Sequence, residues 1–261
     1  MNKFGQLQVL SALLYRDLRF ILYSLPARLA DTAIIGTIQI LAISKLFPLL
    51  GFPQSMIAPL FMGIITQIIF TASYTIAFRY VVDLDKTRFI NYQLTLPFSK
   101  FFLFTEFIII FMIEIFCINI PLLLLGSIFL ADFFSLCQAC WWQIIILYFL
   151  TTFLCALLFI YLAFNSDYHW FLDNVWPRRL SPLFLLGCGF FTWKKLYFFN
   201  WVLGILVLAN PFTYVHEGLR TAFLGSSEFL PFWLCLFAII SFILLLIFLL
   251  SNAIKQRLDP V

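Results

Sequence analysis

Charge is what this sequence has least of. Of its 261 residues, 11% are Asp, Glu, Lys or Arg and 64% are hydrophobic, against about 25% charged and 45–50% apolar in soluble domains. No water-soluble surface can be built from that, which excludes a soluble enzyme. Histidine is scarcer still, with two residues, His169 and His216. His216 and Glu217 begin like a zinc-binding helix, but the position of the second His holds Arg220, so the site lacks its ligand and no metal site is expected. His169, between Asp167 and Asp173, reads as a solvated loop residue. No glycine loop followed by Lys and Ser or Thr is present, so the chain is not expected to bind and hydrolyse ATP by that route. Residues 1–8 carry one Lys, and no small-residue cleavage site follows a short apolar core, so no removable signal peptide is expected.

What is there is apolar length. A helix needs about 20 mostly apolar residues to cross hydrocarbon, because its backbone N–H and C=O groups must be satisfied within the segment. Runs of that kind cover 29–50, 57–78, 101–129, 141–164 and 229–250. Ahead of them, Leu7, Leu10, Leu14, Leu18, Ile21 and Leu25 recur at helical spacing up to Pro26. That pattern reads as an amphipathic helix over 1–26 lying in the membrane interface, with Arg16 and Arg19 toward headgroups; the alternative is that it extends the first span. The stretch after 164 is different. An apolar run over 180–193 is interrupted by Lys194 and Lys195, and a second short run ends at Leu208. It reads as one span starting near Trp176, followed by a broken, partly re-entrant segment on the external side.

The expected fold is therefore an all-α integral membrane protein with six transmembrane helices. Residues 1–26 form the interfacial helix, 27–252 the core and 253–261 a cytoplasmic tail. With both termini inside, twelve of the sixteen Lys and Arg residues fall on the cytoplasmic side, leaving Lys45, Lys194, Lys195 and Arg220 outside, as the positive-inside rule requires. The net charge of +4 then needs no nucleic-acid partner. Trp141, Trp142, Trp176, Trp193, Trp201 and Trp233 lie near span ends, as an interfacial aromatic belt does. Cys137 and Cys140 make a C-x-x-C on the external side, where a disulfide or two free thiols both remain open. Cys117, Cys155, Cys188 and Cys235 lie in apolar runs and read as small hydrophobic fillers.

Ionisable groups inside the runs are the pointers to function, since each costs at least about 2.5–3.5 kcal/mol to insert. Glu106 sits near a span mouth and is expected to reach the interface. Glu114 sits deeper and is expected either to pair with a polar group such as Gln67 or to line a substrate path. Asp31, three residues after Arg28, reads as a helical ion pair. In the connection 79–100, the charges Asp83, Asp85, Lys86 and Arg88 precede Phe89, Tyr92 and Leu94, a mixed surface suited to docking a cytosolic partner. Pro211 removes a donor and pushes Asn210 out of helical geometry, breaking the chain where the re-entrant segment should turn. Glu217 and Arg220, three apart, are placed to neutralise each other at the outer face.

Asn210, Pro211, Thr213, Tyr214, Glu217, Gly218, Leu219 and Arg220 resemble the N-P-x-T-Y-x-x-E-x-L-R element near the last span of the type-2 ATP-binding-cassette (ABC-2) exporter permeases. Ser181, Pro182, Leu183 and the following Gly187 resemble the S-P-L and glycine stretch upstream of it. The first cytoplasmic loop keeps Leu94 and Pro97 of that family's pattern but not its Gly-Thr. The resemblance implies a permease subunit, not an enzyme, of an exporter in a cell (inner) membrane. Its partners would be a second copy of itself, membrane lipids and separate cytosolic ATPase subunits that carry the ATP and Mg; the chain itself needs no cofactor. Asp83, Asp85, Lys86, Arg88 and Phe89 would couple to the ATPase, and Asn210 to Arg220 would form the external re-entrant element. The substrate would be a lipid-linked glycan, a lipid or another amphipathic molecule. Alternatives are a hydrophobic small molecule or drug as cargo, an intramembrane lipid-modifying enzyme, and a non-transporting scaffold. The 35 Phe, 10 Tyr and 7 Trp suit a glycan or lipid path, and lipid exposure explains them equally well.

Overall fold

The computed structural model describes residues 3–94, 100–130, 139–225 and 228–258. These residues are helical almost throughout, with no strand among them. Helix α1 (Lys3–Leu41) continues through a π-helical turn (Ala42–Leu46) to Leu49. Then come α2 (Ile57–Val82), a π-helical turn (Asp83–Thr87), the short α3 (Phe89–Leu94), α4 (Lys100–Phe129) and α5 (Trp141–Phe164). A wound segment over 168–185, here α6, joins Tyr168–Trp170, the π-helical Phe171–Leu180 and Ser181–Leu185. Two short helices, α7 (Trp193–Phe199) and α8 (Trp201–Leu206), precede α9 (Pro211–Leu224) and the long α10 (Phe232–Leu258).

Five helices are long and apolar enough to cross a membrane, and the bent pair Trp201–Ala209 and Pro211–Leu224 brings the number to six if it counts as one span. The chain is thus a membrane-embedded, multi-pass helical protein. Its apolar runs become helices because only a helix satisfies its own backbone without water. Hydroxyls within them behave accordingly: Thr37, Thr71, Ser73 and Ser241 each donate to the carbonyl four residues back, leaving no free donor toward lipid.

Helices α2 and α5 are mostly buried, whereas α1 and α10 are mostly exposed. Helix α1 lies along α4, α4 also meets α2 and α5, and α9 is wedged among α2, α5 and α10. The outer helices turn apolar side chains outward, such as Ile34 and Ile38 of α1 and Phe237 and Phe248 of α10. The core centres on Phe70 of α2, whose ring meets Phe159, Trp176, Phe184 and Phe212 with centroids 4.9–6.1 Å away.

Segment α6 runs back along α2. Tyr168 packs on Phe78, Phe171 stacks on Tyr74 at 5.1 Å, and Phe184 reaches Phe70. The chain then touches Gly63 through the backbone of Gly189. Helix α9 takes the same direction, from Phe212 at Phe70, through His216 at Thr66, to Arg220 at Pro59. Residues between the two must therefore turn back into the bundle, and they do so at Asn210 with a bend of 99°.

Two expectations about these elements are corrected. The chain does not break at Pro26: α1 is a single helix with Pro26 inside it, since a missing N–H in an apolar helix can be tolerated where neighbours take up the strain. The winding expected to start near Trp176 also starts earlier, at Tyr168, and its π-helical part carries Asp173, Arg178 and Arg179, so it lacks the continuous apolar run of the five long helices.

Gly63 is where the two backbones approach closest. A Cβ there would land on the Gly189 carbonyl, and backbone atoms cannot swing aside. Gly63→Val should cost about 1–3 kcal/mol through overpacking, read as a lower thermal unfolding midpoint in detergent. At Gly36 the corresponding collision is only with the end of the Leu122 side chain, so Gly36→Ala should lower the midpoint less.

Candidate functional site

The polar residues gather in two places. The first is the knot made by α9. Asn210 is extended (φ −95°, ψ 121°) ahead of Pro211, and its Oδ1 caps the helix by accepting from Phe212 N at 3.0 Å. Its Nδ2 donates to the Leu183 carbonyl at 2.5 Å, and Thr213 Oγ1 donates to Val207 O at 2.6 Å. His216 Nδ1 faces two carbonyls, Gly187 and Phe212, each at 2.7 Å, and so carries a proton, while Nε2 sits 2.5 Å from the Thr66 hydroxyl. Arg220 is completely buried. Its Nη1 donates to Glu217 Oε1 and Phe191 O, and its Nη2 to Gly189 O, all at 2.9 Å; Nε donates to Pro59 O at 3.3 Å. Glu217, equally buried, also accepts from Trp193 N and Leu230 N. The carbonyls of Gly187, Gly189 and Phe191 thus all point at α9, fixing the linker between α6 and α7. Gly187 is required because a Cβ there would press on the Cβ of Phe212.

The two sequence stretches that carry the resemblance, Ser181–Gly187 and Asn210–Arg220, are therefore one packed unit. The Glu217–Arg220 pair forms as the spacing implied, with both side chains buried within the protein. Tyr214 is half-buried with its ring 6.3 Å from Phe242. Every strong donor and acceptor of this knot is used, which makes it architecture rather than a substrate site.

The second place lies between α1, α2 and α4. Glu114, 1% exposed, is clasped by Arg28 and Arg79. Arg79 Nη2 donates to both carboxylate oxygens, at 2.7 and 2.6 Å. Arg28 therefore serves Glu114, not Asp31, and Gln67 is not the partner of Glu114. On one side of the clasp a cleft of about 350 Å³ is lined by Arg28, Asp31, Thr32, Gln39, Gln67 and Thr75 among others. On the other side a cleft of about 380 Å³ runs toward Arg16, Asp17 and α3. Gln67, Thr71, Thr75 and Arg79 fall every fourth residue along α2, so one face of that helix is a polar furrow crossed by the clasp. Glu106 is buried and faces Asp17 of α1.

At the end of α2, the residues expected to face a partner divide. Asp83 turns inward and accepts from Phe89 N at 3.2 Å, Ile90 N at 2.6 Å and the Thr87 hydroxyl, capping α3. Asp85 accepts from Tyr168 N at 2.6 Å, and Lys86 Nζ lies 3.6 Å over the Tyr168 ring, so this turn is tied to the start of α6. Arg88, in a left-handed conformation (φ 54°), stays exposed with Phe89 and Tyr92. Arg16 of α1 stacks on Phe89 at 5.2 Å. Pro97 and Cys137 lie outside the described residues; Cys140 is free. His169 is exposed, and no group of three metal-ligating side chains occurs among the described residues. Sequence reasoning missed Arg79 as partner of Glu114, although its place at the end of the Gln67–Thr71–Thr75 register was a readable signal. It also missed Gln93 and Thr66, for which no local signal exists.

No protein-family model, no curated protein and no solved structure matches this chain.

Breaking a buried ion pair by removing one partner costs about 3–5 kcal/mol, so Arg220→Met should abolish the monodisperse peak in gel filtration. Thr66→Val, which removes one partner of His216, should cost about 1 kcal/mol and only lower the thermal midpoint.

Proposed function

We propose that this chain is the membrane-spanning permease subunit of an ATP-driven exporter of the ABC-2 type, working as a pair of copies with separate cytosolic ATPase subunits that supply ATP and Mg. It crosses the cell membrane six times, through the five long helices and through α6, which runs along α2, with both termini in the cytoplasm. Its cargo is an amphipathic molecule, a lipid-linked glycan or lipid. The observation that carries this reading is the polar furrow: Arg28, Asp31, Gln39 and Gln67 stand on faces of apolar helices and continue past the Arg28–Glu114–Arg79 clasp to the cleft beneath α3. Side chains of this kind do not face lipid unaided. A second copy set against that face turns the furrow into an enclosed path, with the clasp as its constriction.

Further support comes from the two ends. The exposed Arg88, Phe89 and Tyr92 offer a charged and aromatic surface on an element tied both to α1, through Arg16 and Phe89, and to α6, through Asp85 and Lys86. A push on α3 therefore reaches three segments at once. At the far end, the bent pair of α8 and α9, held by the Arg220 knot, forms a re-entrant plug entering from the external side. A lipid-modifying enzyme would need a set of free catalytic groups, and those of the knot are all engaged in holding backbone.

Assembly tests the reading directly. The chain should co-purify with a cytosolic ATPase and show vanadate-sensitive ATP hydrolysis on reconstitution; if neither occurs, the exporter assignment fails. Arg88→Glu should weaken that association while leaving the thermal midpoint of the isolated chain unchanged. Glu114→Gln should leave assembly intact but lower transport roughly 10- to 100-fold, the rate equivalent of a charge-assisted hydrogen bond of about 1.5–3 kcal/mol, measured as cargo moved per ATP hydrolysed.

A further inference from the structure

The cleft between α1, α2, α3 and α4 holds hydrogen-bonding capacity that the protein leaves unused. Its walls are apolar, from Phe20 and Ile21 of α1, Ile76 of α2, and Phe107 and Ile110 of α4. Gln93 of α3 lines the same cleft at 3% exposure, and neither its Oε1 nor its Nε2 has a hydrogen-bond partner among the described residues. Arg79, which also lines it, has a buried Nε without one. Leaving buried polar groups unpaired is costly, and three such atoms on two residues that line one largely apolar cleft mark the place of a missing partner.

The chemistry of that partner follows from what is already satisfied. Three carboxylates line the cleft, Asp17, Asp83 and Glu114. Asp17 pairs with Arg16, Asp83 caps α3, and Glu114 is held by Arg28 and Arg79. A bare anion would meet all three of them, and a bare cation would meet guanidinium groups already committed. The uncovered groups are two donors, the Gln93 amide nitrogen and the Arg79 Nε–H, and one acceptor, the Gln93 carbonyl oxygen. Hydroxyl groups, which accept and donate at once, match that set without adding charge.

We propose that this cleft seats the neutral, hydroxyl-rich head of a membrane amphiphile, a sugar or similar polyol on a lipid, with its hydroxyls on Gln93 and Arg79 and its apolar stem along Phe107 and Ile110. The occupant touches both α3 and the Arg79–Glu114 pair, so a filled seat is felt at the element that faces the ATPase and at the constriction together. As the seat of transported cargo it rests on the exporter reading; as a binding site it does not.

The test is binding, not transport. The full chain in a sugar-free polyether detergent is titrated with monoglucosyl diacylglycerol, phosphatidic acid and phosphatidylcholine of matched acyl chains, and adducts are counted by native mass spectrometry. The wild-type chain should form a single adduct with the glucolipid at least tenfold more tightly than with either phospholipid. Gln93→Leu, which replaces the unpartnered amide by an apolar group of similar size, should lose that preference tenfold or more while its thermal midpoint holds or rises. Ile110→Trp, which fills the apolar wall, should lower binding as well. Equal binding of all three lipids by the wild type overturns the proposal, as does tighter binding of phosphatidic acid. Free glucose displacing the glucolipid at equal concentration overturns the amphiphile assignment, and an unchanged preference in Gln93→Leu removes the site from this cleft. Absence of an associated ATPase would leave these results standing.

Discussion

A guanidinium group can sit inside an apolar bundle only if its N–H groups meet acceptors, and Arg220 meets that condition with four hydrogen bonds and an ion pair. The carboxylate of Glu217 supplies the counter-charge, and backbone carbonyls of Pro59, Gly189 and Phe191 supply the rest. Those carbonyls belong to the start of α2 and to the linker between α6 and α7. One side chain therefore sets the positions of two segments relative to α9. The same carboxylate reaches the first turn of α7 and the approach to α10. The close passage of Gly189 over Gly63, and of Gly187 against Phe212, is what brings these carbonyls within reach. Without it the irregular stretch between α6 and α9 would present unpaired backbone to hydrocarbon, which membrane structures do not tolerate.

How far this was legible in the sequence depends on the range of the interaction. The long helices follow from runs of apolar residues, a property of each segment alone, and 101–129 and 141–164 match α4 and α5 closely. The turn at Asn210 was readable because a Pro acts on its immediate neighbour. Segment α6 was not, because its winding is stabilised by aromatic stacking of Phe171 and Trp176 on α2 rather than by its own hydrophobicity. The continuity of α1 through Pro26 likewise rests on the neighbouring α4. At the candidate site, the depth of Glu114 announced that it needed company. Of its partners, on two other helices, Arg79 was marked only by its register with Gln67, Thr71 and Thr75, and Arg28 pointed to the nearer Asp31 instead. Asp83 and Asp85 show the opposite failure: they looked like an exposed charge cluster, and the fold turns their carboxylates onto backbone N–H groups.

The two polar centres divide the work of the molecule. The knot around Arg220 has no spare hydrogen-bonding capacity, and a fully satisfied network of this kind is rigid. The clasp around Glu114 is of another kind: one carboxylate shared by two half-exposed arginines, flanked by clefts on either side. The arginines are partly exposed while Glu114 is buried, so the carboxylate can exchange one arginine for the other without being left unpaired. Stiffness sits at one end and exchangeable charge at the other, joined by α2, which contributes Pro59 and Thr66 to the first and Arg79 to the second.

The clasp also has a consequence for how the chain is made. Synthesis proceeds from the N-terminus, so Arg28 and then Arg79 are complete before the residue that neutralises them both. Helices α1 and α2 each carry an arginine with no counter-ion on the other, and they gain one only when the ribosome has delivered Glu114 on α4. Release of the first two helices into the lipid one at a time would strand each cation in turn. The nascent chain is therefore obliged to hold α1 and α2 at the protein-lined exit of the insertion machinery until α4 arrives, and to hand over the three helices as a group.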